Sequence, residues 1–484
     1  MNYKMIGRFL SAVLAIEAVF MIPAALIAVV TKEGSLALIF AGCIGLIAVV
    51  ALVLYLVSRG AKARFFAREG LACVGLGWIF ISLFGCLPFY LSGQIPHFID
   101  ALFEIVSGFT TTGASILTDV EALSRALLYW RSFSHWLGGM GVLVFMMVFL
   151  SDKGKDTGFT LHILRAESPG PEVTKLVPHM RDSSILLYGI YIVLTVLDFL
   201  FLVAGGMPAF HAVCLTFGTA GTGGFGVLNS SMGSYSPYLQ WVTTVFMLLF
   251  GVNFNIYFAL LLKRWKNVLR DSELRLYFTI VLCSIAAITL NIRPMFPSLG
   301  ETIRHAAFQV ASIITTTGYG TVDFDLWPSF SKMLLLILMV VGACAGSTGG
   351  GIKVSRLLLL LKSVMRHIRK STYPQKVETI RVSGQPISEK VLHATVLYLS
   401  VYGAVLGASF LLVSLDPFSV DTHISAVLAC INNIGPGLSA VGPTQNYAGY
   451  SVLSKCVLIF DMLAGRLELL PILCLLNPAT WRRR

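Results

Sequence analysis

Thr315-Thr316-Thr317-Gly318-Tyr319-Gly320 is a polar, glycine-bearing turn set in an otherwise strongly apolar chain. Three further turns share its character: Thr110-Thr111-Thr112-Gly113-Ala114-Ser115, Gly221-Thr222-Gly223-Gly224-Phe225-Gly226 and Asn432-Asn433-Ile434-Gly435-Pro436-Gly437. With Gly113, Gly224, Gly318 and Gly435 taken as equivalent, the turns recur at intervals of 111, 94 and 117 residues. Each follows an apolar stretch too short to cross a bilayer: 97–109, 208–218, 301–314 and 418–431. Apolar runs of about 10–14 residues are expected of re-entrant half-helices. In the second turn Thr219-Ala220-Gly221 competes for the register, but Phe225-Gly226 parallels Tyr319-Gly320 and favours Thr222-Gly223-Gly224.

The surroundings are those of a membrane protein. The 484 residues are 56% hydrophobic and only 12% charged, far below the charged share of a soluble domain. Hydrophobic runs predict ten transmembrane helices, beginning near Phe9, Leu36, Gly70, Leu127, Ile185, Tyr235, Leu274, Phe330, Val391 and Ser451. The run from Phe9 continues to Val30 without a small-residue cleavage site, so it reads as a span and not a removable signal. The formal net charge of +12 would suit a nucleic-acid binder until it is placed on this topology. With the N-terminus in the cytoplasm, most Lys and Arg fall on the cytoplasmic side, among them Arg59, Lys62, Arg64, Arg68, Lys263, Arg264, Lys266 and Arg482 to Arg484. That asymmetry follows the positive-inside rule, puts both termini in the cytoplasm and removes nucleic acid as a partner, leaving membrane lipid. The nine cysteines are scattered singly, with no metal or redox spacing.

Non-helical backbone at membrane depth survives only where protein buries it or where it lines an aqueous path. Four such turns converging on one axis satisfy that demand together, and a ring of carbonyl oxygens replaces the hydration shell of a monovalent cation without net charge. Each half-helix also directs the negative end of its dipole at the same point. Glycine is expected at the turning position because aiming successive carbonyls inward needs positive φ.

Thr316-Thr317-Gly318-Tyr319-Gly320 resembles the TVGYG filter of potassium channels. The whole chain, two extra spans followed by four span, pore-loop, span units, is similar to the Trk-type membrane subunit of the Trk/Ktr/HKT superfamily of bacterial potassium uptake systems. The likeness includes Trp136-Leu-Gly-Gly-Met-Gly141, Gly342-Ala-Cys-Ala-Gly-Ser-Thr-Gly-Gly-Gly-Ile-Lys353 and Gly465-Arg-Leu-Glu468. It departs from channels in that only the third turn has Gly-Tyr-Gly, as the superfamily's single central glycine allows. The resemblance implies an all-α integral membrane protein with four pseudo-symmetric repeats around one pore: extra helices in 1–69, then repeats in 70–182, 183–271, 272–390 and 391–484. It implies a K⁺ filter at Thr111, Thr112, Gly113, Thr222, Gly223, Gly224, Thr316, Thr317, Gly318, Asn433, Ile434 and Gly435, K⁺ being the permeant ion and the only metal. It also implies a bacterial inner-membrane homodimer working with a separate cytosolic RCK-type regulator of dinucleotide-binding fold, which binds NAD or ATP.

Gly346, Ser347, Thr348, Gly349, Gly350 and Gly351 interrupt a run from Phe330 to Leu361 that is too long for one crossing. Lys353 beside them invites a phosphate-loop reading, but the spacing fails, since Ile352 stands where the lysine would be needed. The stretch suits either an unwound mobile segment or close packing; the resemblance implies an intramembrane gate. Arg466 is the only base inside a predicted span, an expensive position that marks a functional candidate. Asp461 and Glu468 lie on another face of the same helix, which leaves the aqueous path or a pair with another helix; the resemblance favours the path below the filter. His135 and Glu104 read as ion ligands or as partners for backbone groups, and Glu17 and Asp198 remain unassigned. The outer acids Asp100, Asp119, Glu121, Asp323 and Asp325 would concentrate cations at a mouth. Neither His-Glu-x-x-His nor Gly-x-Gly-Asp is present, which disfavours an intramembrane enzyme. A K⁺ symporter coupled to H⁺ or Na⁺ is the alternative, with Glu17, Asp198, Asp461 or Glu468 as its titratable site.

Overall fold

The computed structural model describes residues 1–60, 67–139, 141, 180–373, 375 and 379–481. Lys62, Arg64, Met140 and Arg482 to Arg484, used in the readings above, lie outside the described residues. Among those described, the structure is helical apart from one antiparallel hairpin, Arg381–Val382 with Gln385–Pro386.

Six described helices are long and apolar enough to cross a bilayer: Tyr3–Val30, Gly34–Val57, Arg68–Leu91, Ile185–Ala204, Ser272–Met295 and Glu389–Val413. Their outward side chains, such as Leu38, Val49, Leu52, Leu282, Leu397 and Leu411, are exposed, and an apolar surface of this extent suits lipid. The chain is a multi-pass membrane protein.

Three of the other four expected spans, near Tyr235, Phe330 and Ser451, do not continue as single straight helices; of the one near Leu127 the structure describes Arg125–Gly139, 15 residues long. The helices Pro237–Phe250, Ser329–Val341 and Val452–Arg466 have 14, 13 and 15 residues. At 1.5 Å per residue they reach roughly 20–22 Å, short of the ~30 Å hydrocarbon core. An interruption was expected in the third repeat alone. In the second the chain restarts as Phe254–Leu261 after a 90° bend. In the third it restarts as Val354–Thr372, so the break extends beyond 346–351 to residues 342–353. In the fourth, Leu467, Glu468 and Leu469 separate Val452–Arg466 from Leu470–Leu476, where Pro471 sits in the first turn, a position that tolerates its missing N–H.

Four shorter helices, Phe98–Phe109, Ala209–Gly221, Leu299–Ile314 and Val420–Ile431, are inserted among the spans. Two begin on serine caps, Ser298 accepting from the Glu301 amide and Ser419 from the Thr422 amide. Their later turns are buried on all sides: Phe98–Phe109 buries Phe103, Glu104, Ile105, Val106, Ser107, Gly108 and Phe109 without a gap. Such a helix cannot be placed by one apolar stripe, and its position depends on where its end is tied.

Candidate functional site

All four short helices terminate in the same way. Thr111, Thr222, Thr316 and Asn433 adopt left-handed backbone, with φ of 56°, 54°, 59° and 57°. In each case the next amide reaches back to a carbonyl of the helix: Thr112 to Ser107 at 2.9 Å, Gly223 to Gly218 at 2.8 Å, Thr317 to Ser312 at 2.8 Å and Ile434 to Ala429 at 2.8 Å. This is the Schellman closure of a helix C-terminus, normally built on glycine. In the second turn the left-handed residue is Thr222, and Thr219, Ala220 and Gly221 belong to the helix.

The four ends meet in a closed ring. A Cβ added to Gly113 would strike the Gly223 carbonyl oxygen, one on Gly224 the Thr317 carbonyl oxygen, one on Gly318 would come within 3.0 Å of the Gly435 amide, and one on Gly435 within 2.6 Å of the Gly113 carbonyl oxygen. Gly113, Gly224 and Gly318 have φ of 80°, 81° and 90°, as expected. Gly435 is not in that region, because Pro436 biases the residue before it towards extended backbone; glycine is required there by the close approach alone. Among the described residues no hydrogen bond reaches the carbonyls of Thr112, Gly113, Gly223, Gly224, Thr317, Gly318 or Ile434. The fourth corner differs again, since the Tyr447 hydroxyl donates to the Gly435 carbonyl at 3.0 Å.

Above the ring a cleft of about 150 Å³ is lined by Gly113, Gly224, Gly318 and Gly435 with Asn229, Ser231, Thr444 and Asn446. Among the described residues no three His, Cys, Asp or Glu side chains group as a metal site. Of the outer acids, Asp100 is paired with Lys455 at 2.6 Å and Asp325 with Lys332 at 3.6 Å. Asp119 accepts from the Asn229 side-chain amide at 2.8 Å, which holds its carboxyl below the usual range and keeps it charged.

Residues 36–481 match the sequence profile of TrkH, described as a cation transport protein. The chain belongs to the TrkH family. It is 34% identical over 492 residues to the Trk system potassium uptake protein TrkH of Salmonella typhimurium, with both chains covered in full. It is 32% identical over 471 residues to the Trk system potassium uptake protein TrkG of Escherichia coli, covering 96% of this chain and 95% of that one. The crystal structure of the potassium transporter TrkH from Vibrio parahaemolyticus superimposes with a TM-score of 0.88 at 31% identity, all of both chains being covered. This is a family of transport proteins, not of enzymes.

Directly against the ring lies the glycine-rich break between Ser329–Val341 and Val354–Thr372. Its Gly350 amide donates to the Thr316 hydroxyl at 2.6 Å, and the Thr348 hydroxyl donates to the Phe250 carbonyl at 3.2 Å. The Phe254 amide donates to the Gly346 carbonyl at 3.0 Å, joining the break to that of the second repeat. Ser347, Thr348, Gly349 and Gly350 are buried. Arg466 donates to the Thr348 carbonyl at 2.9 Å, to the Gly139 carbonyl at 2.7 Å, to the Thr111 hydroxyl at 3.2 Å and to the Gly138 carbonyl. One guanidinium thus ties together the end of Arg125–Gly139, the first corner of the ring and the break. Asp461 accepts from Ser409 at 2.7 Å and Glu468 from Arg356 at 2.6 Å, so both carboxylates have other partners.

Arg466, itself half-buried, is not the only base drawn inside: Arg131, Lys353, Arg356 and Lys455 are buried. Broken helices let loop and helix-end residues turn inward where a count of continuous spans puts them outside. His135 contacts backbone groups, with Nδ1 2.7 Å from the Gly108 carbonyl oxygen and Nε2 accepting from the Phe225 amide at 3.2 Å. Glu104 accepts from Arg131 Nε at 2.6 Å, Ser115 Oγ at 2.9 Å and the Ile116 amide at 2.9 Å. Arg131 continues to the Gly226 carbonyl at 3.1 Å and lies 3.5 Å over the Phe225 ring. This pair locks the first corner to the second, and nothing in the sequence had singled out Arg131, which stands in the run beginning near Leu127. Glu17 and Asp198 are buried with neither carboxylate oxygen partnered among the described residues.

Breaking one member of a fully buried ion pair costs about 3–5 kcal/mol, because the survivor is stranded. Arg131→Met and Glu104→Gln should each lower the thermal stability of the detergent-solubilised protein to that extent, and the double variant should lose clearly less than the two losses added. Strict additivity in the thermal-unfolding series would show that the pair does not act as a unit.

Proposed function

We propose that the chain carries K⁺ selectively into the cell across the bacterial cytoplasmic membrane, through the space enclosed by the four turns. The observation that carries this reading is the closed ring of four identically terminated helix ends, in which the carbonyls of Thr112, Gly113, Gly223, Gly224, Thr317, Gly318 and Ile434 accept no hydrogen bond among the described residues. Oxygens in that condition need a cation or water, and the helix C-termini beside them favour positive charge. Relatives of full length are named as potassium uptake proteins, which fits a neutral-oxygen site better suited to a weakly hydrated monovalent ion than to a divalent one.

In this reading the filter is Thr111, Thr112, Gly113, Thr222, Gly223, Gly224, Thr316, Thr317, Gly318, Asn433, Ile434 and Gly435. Residues 346–351 are the gate, held closed in part by Arg466. Residues 1–69 supply two extra helices, and 70–182, 183–271, 272–390 and 391–484 are the four repeats, giving ten crossings when the broken helices are counted with their continuations. Both termini are cytoplasmic, the protein is a homodimer, and a cytosolic regulator that binds NAD or ATP acts from the basic face. The relatives are named as parts of a Trk system, in keeping with a further component. A symporter coupled to H⁺ or Na⁺ would rest on Glu17 or Asp198, whose carboxylates are unengaged. Reversal potentials in asymmetric K⁺ and Na⁺ separate the two: a channel follows the K⁺ gradient, and a carrier shifts with the coupling ion.

Replacing Gly113, Gly224, Gly318 or Gly435 by Ser should reduce K⁺ over Na⁺ selectivity in flux assays, the first three through backbone φ and the last through collision with the Gly113 carbonyl. Unchanged selectivity at all four positions would sink the filter assignment. Arg466→Ala removes a fixed charge from a low-dielectric cation path, so single-channel K⁺ conductance should rise; a loss of stability without a conductance gain would make the residue a structural tie only. Deleting 346–351 should raise open probability and leave selectivity as it is, and a folded deletion protein with wild-type open probability would exclude the gate.

A further inference from the structure

Glu273 lies in the first turn of the helix Ser272–Ile292, one residue after Ser272 and two after the helix cap Asp271, whose carboxylate accepts from the Leu274 amide at 2.8 Å. Its side chain leaves its own helix and enters the break of the third repeat. There a single oxygen, Oε1, accepts from the Ala345 amide at 2.6 Å and from the Ser355 amide at 3.1 Å. Ala345 immediately precedes Gly346, and Ser355 is the second residue of Val354–Thr372. The two flanks of residues 346–351 are therefore drawn to one atom, and the carboxylate is buried.

Both amides need this partner. The first amides of a helix have no acceptor within it, and Lys353, at the cap position of Val354–Thr372, supplies no side-chain cap. Glu273 provides that cap from another helix, in the place where a negative charge is favoured by the helix dipole. The Ala345 amide belongs to a stretch with no helix or strand of its own. A carboxylate shared between them makes two charge-assisted hydrogen bonds, about twice as strong as neutral ones.

We propose that Glu273 is a positioning residue for the gate: by joining Ala345 to Ser355 it keeps the loop at 346–351 closed up under the ring, where Gly350 meets Thr316 and Thr348 meets Arg466. This rests on the reading of 346–351 as a gate. Opening must separate the two flanks or swing them together, and either movement breaks a bond to Oε1. Since only one oxygen is used, an amide oxygen in its place keeps both bonds in their weaker, neutral form, whereas a side chain one methylene shorter does not span both donors.

The test is single-channel recording and K⁺ flux with the full-length protein in liposomes, for Glu273→Ala, Glu273→Asp, Glu273→Gln, the deletion of 346–351, and Glu273→Asp combined with the deletion. Glu273→Ala and Glu273→Asp should raise open probability about tenfold without changing the K⁺/Na⁺ reversal potential. Glu273→Asp keeps the charge at the start of its own helix, so it remains informative where the alanine variant fails to fold. Glu273→Gln, which keeps the acceptor and loses the charge, should fall between wild type and Glu273→Asp, and Glu273→Asp should add nothing once 346–351 is deleted. If the deletion raises open probability and Glu273→Asp does not, Glu273 is excluded and the gate stands. If the deletion leaves open probability unchanged, the gate falls and this role with it. A glutamine variant that opens like the aspartate variant, or an aspartate effect that persists in the deletion background, would show that Glu273 acts by some means other than these two bonds.

Discussion

The architecture depends on how a helix is ended where there is no water to end it. Outside a membrane the last carbonyls of a helix are hydrated; here four helices stop deep inside the protein. The left-handed residue after each of them spends the following amides on the helix's own carbonyls. That closure solves the problem of the helix and transfers it outward by two residues, to carbonyls that have no donor left. No isolated turn of this kind is tolerable in hydrocarbon. Four of them in contact share one polar interior, which is why the glycines of each turn press against the backbone of the next and why the corners are braced in pairs. Tyr319 reaches the Leu215 carbonyl at 3.0 Å, the Tyr447 amide reaches the Ser115 carbonyl at 2.8 Å, and Arg131 with Glu104 joins the first corner to the second.

Three of the four left-handed residues are threonines, and a β-branched side chain there is strained by about 1–3 kcal/mol. Glycine would relieve the strain, yet the hydroxyls have uses that glycine cannot replace. Thr111 accepts from Arg466 and Thr316 from the Gly350 amide. At the fourth corner Asn433, which tolerates this conformation better, donates to Thr112 Oγ1 and to the Met462 carbonyl. Thr111, Thr316 and Asn433 are thus points at which the ring touches the interrupted helices beside it, whereas the Thr222 hydroxyl donates to the neighbouring Gly221 carbonyl at 2.6 Å.

Periodicity and turn chemistry made the main lines legible. The recurrence of Gly-bearing turns after short apolar runs located all four buried helix ends, and the parallel between Phe225-Gly226 and Tyr319-Gly320 chose the triplet that carries left-handed backbone. The run of small residues at 346–351 announced its own break. The breaks after Phe250 and Arg466 were hidden because Gly251 and Leu467 look unremarkable in an apolar run, and hydropathy measures composition, not continuity. Arg131, Lys353 and Glu273 were hidden for a related reason. Each lies near the end of an apolar segment, where a charge normally reports topology, and only the folded chain shows that the segment end has turned inward. The different backbone of Gly435 follows from Pro436 and was readable in principle, but the expectation of symmetry overrode it.

The four corners share left-handed backbone at Thr111, Thr222, Thr316 and Asn433, but their side chains are not all the same: Thr112 and Thr317 follow in two of them, Gly223 and Ile434 in the others. In an assembly of four identical subunits a codon change rewrites every corner at once, and an intermediate is hard to reach. Here one chain encodes each corner separately, so inheritance can alter a quarter of the circumference and leave three quarters untouched. The hydroxyl at Thr316 can be kept for its neighbour while Ile434 abandons polarity altogether. Such a ring can drift in quarter steps, and its lack of symmetry is the record of corners that have been free to specialise.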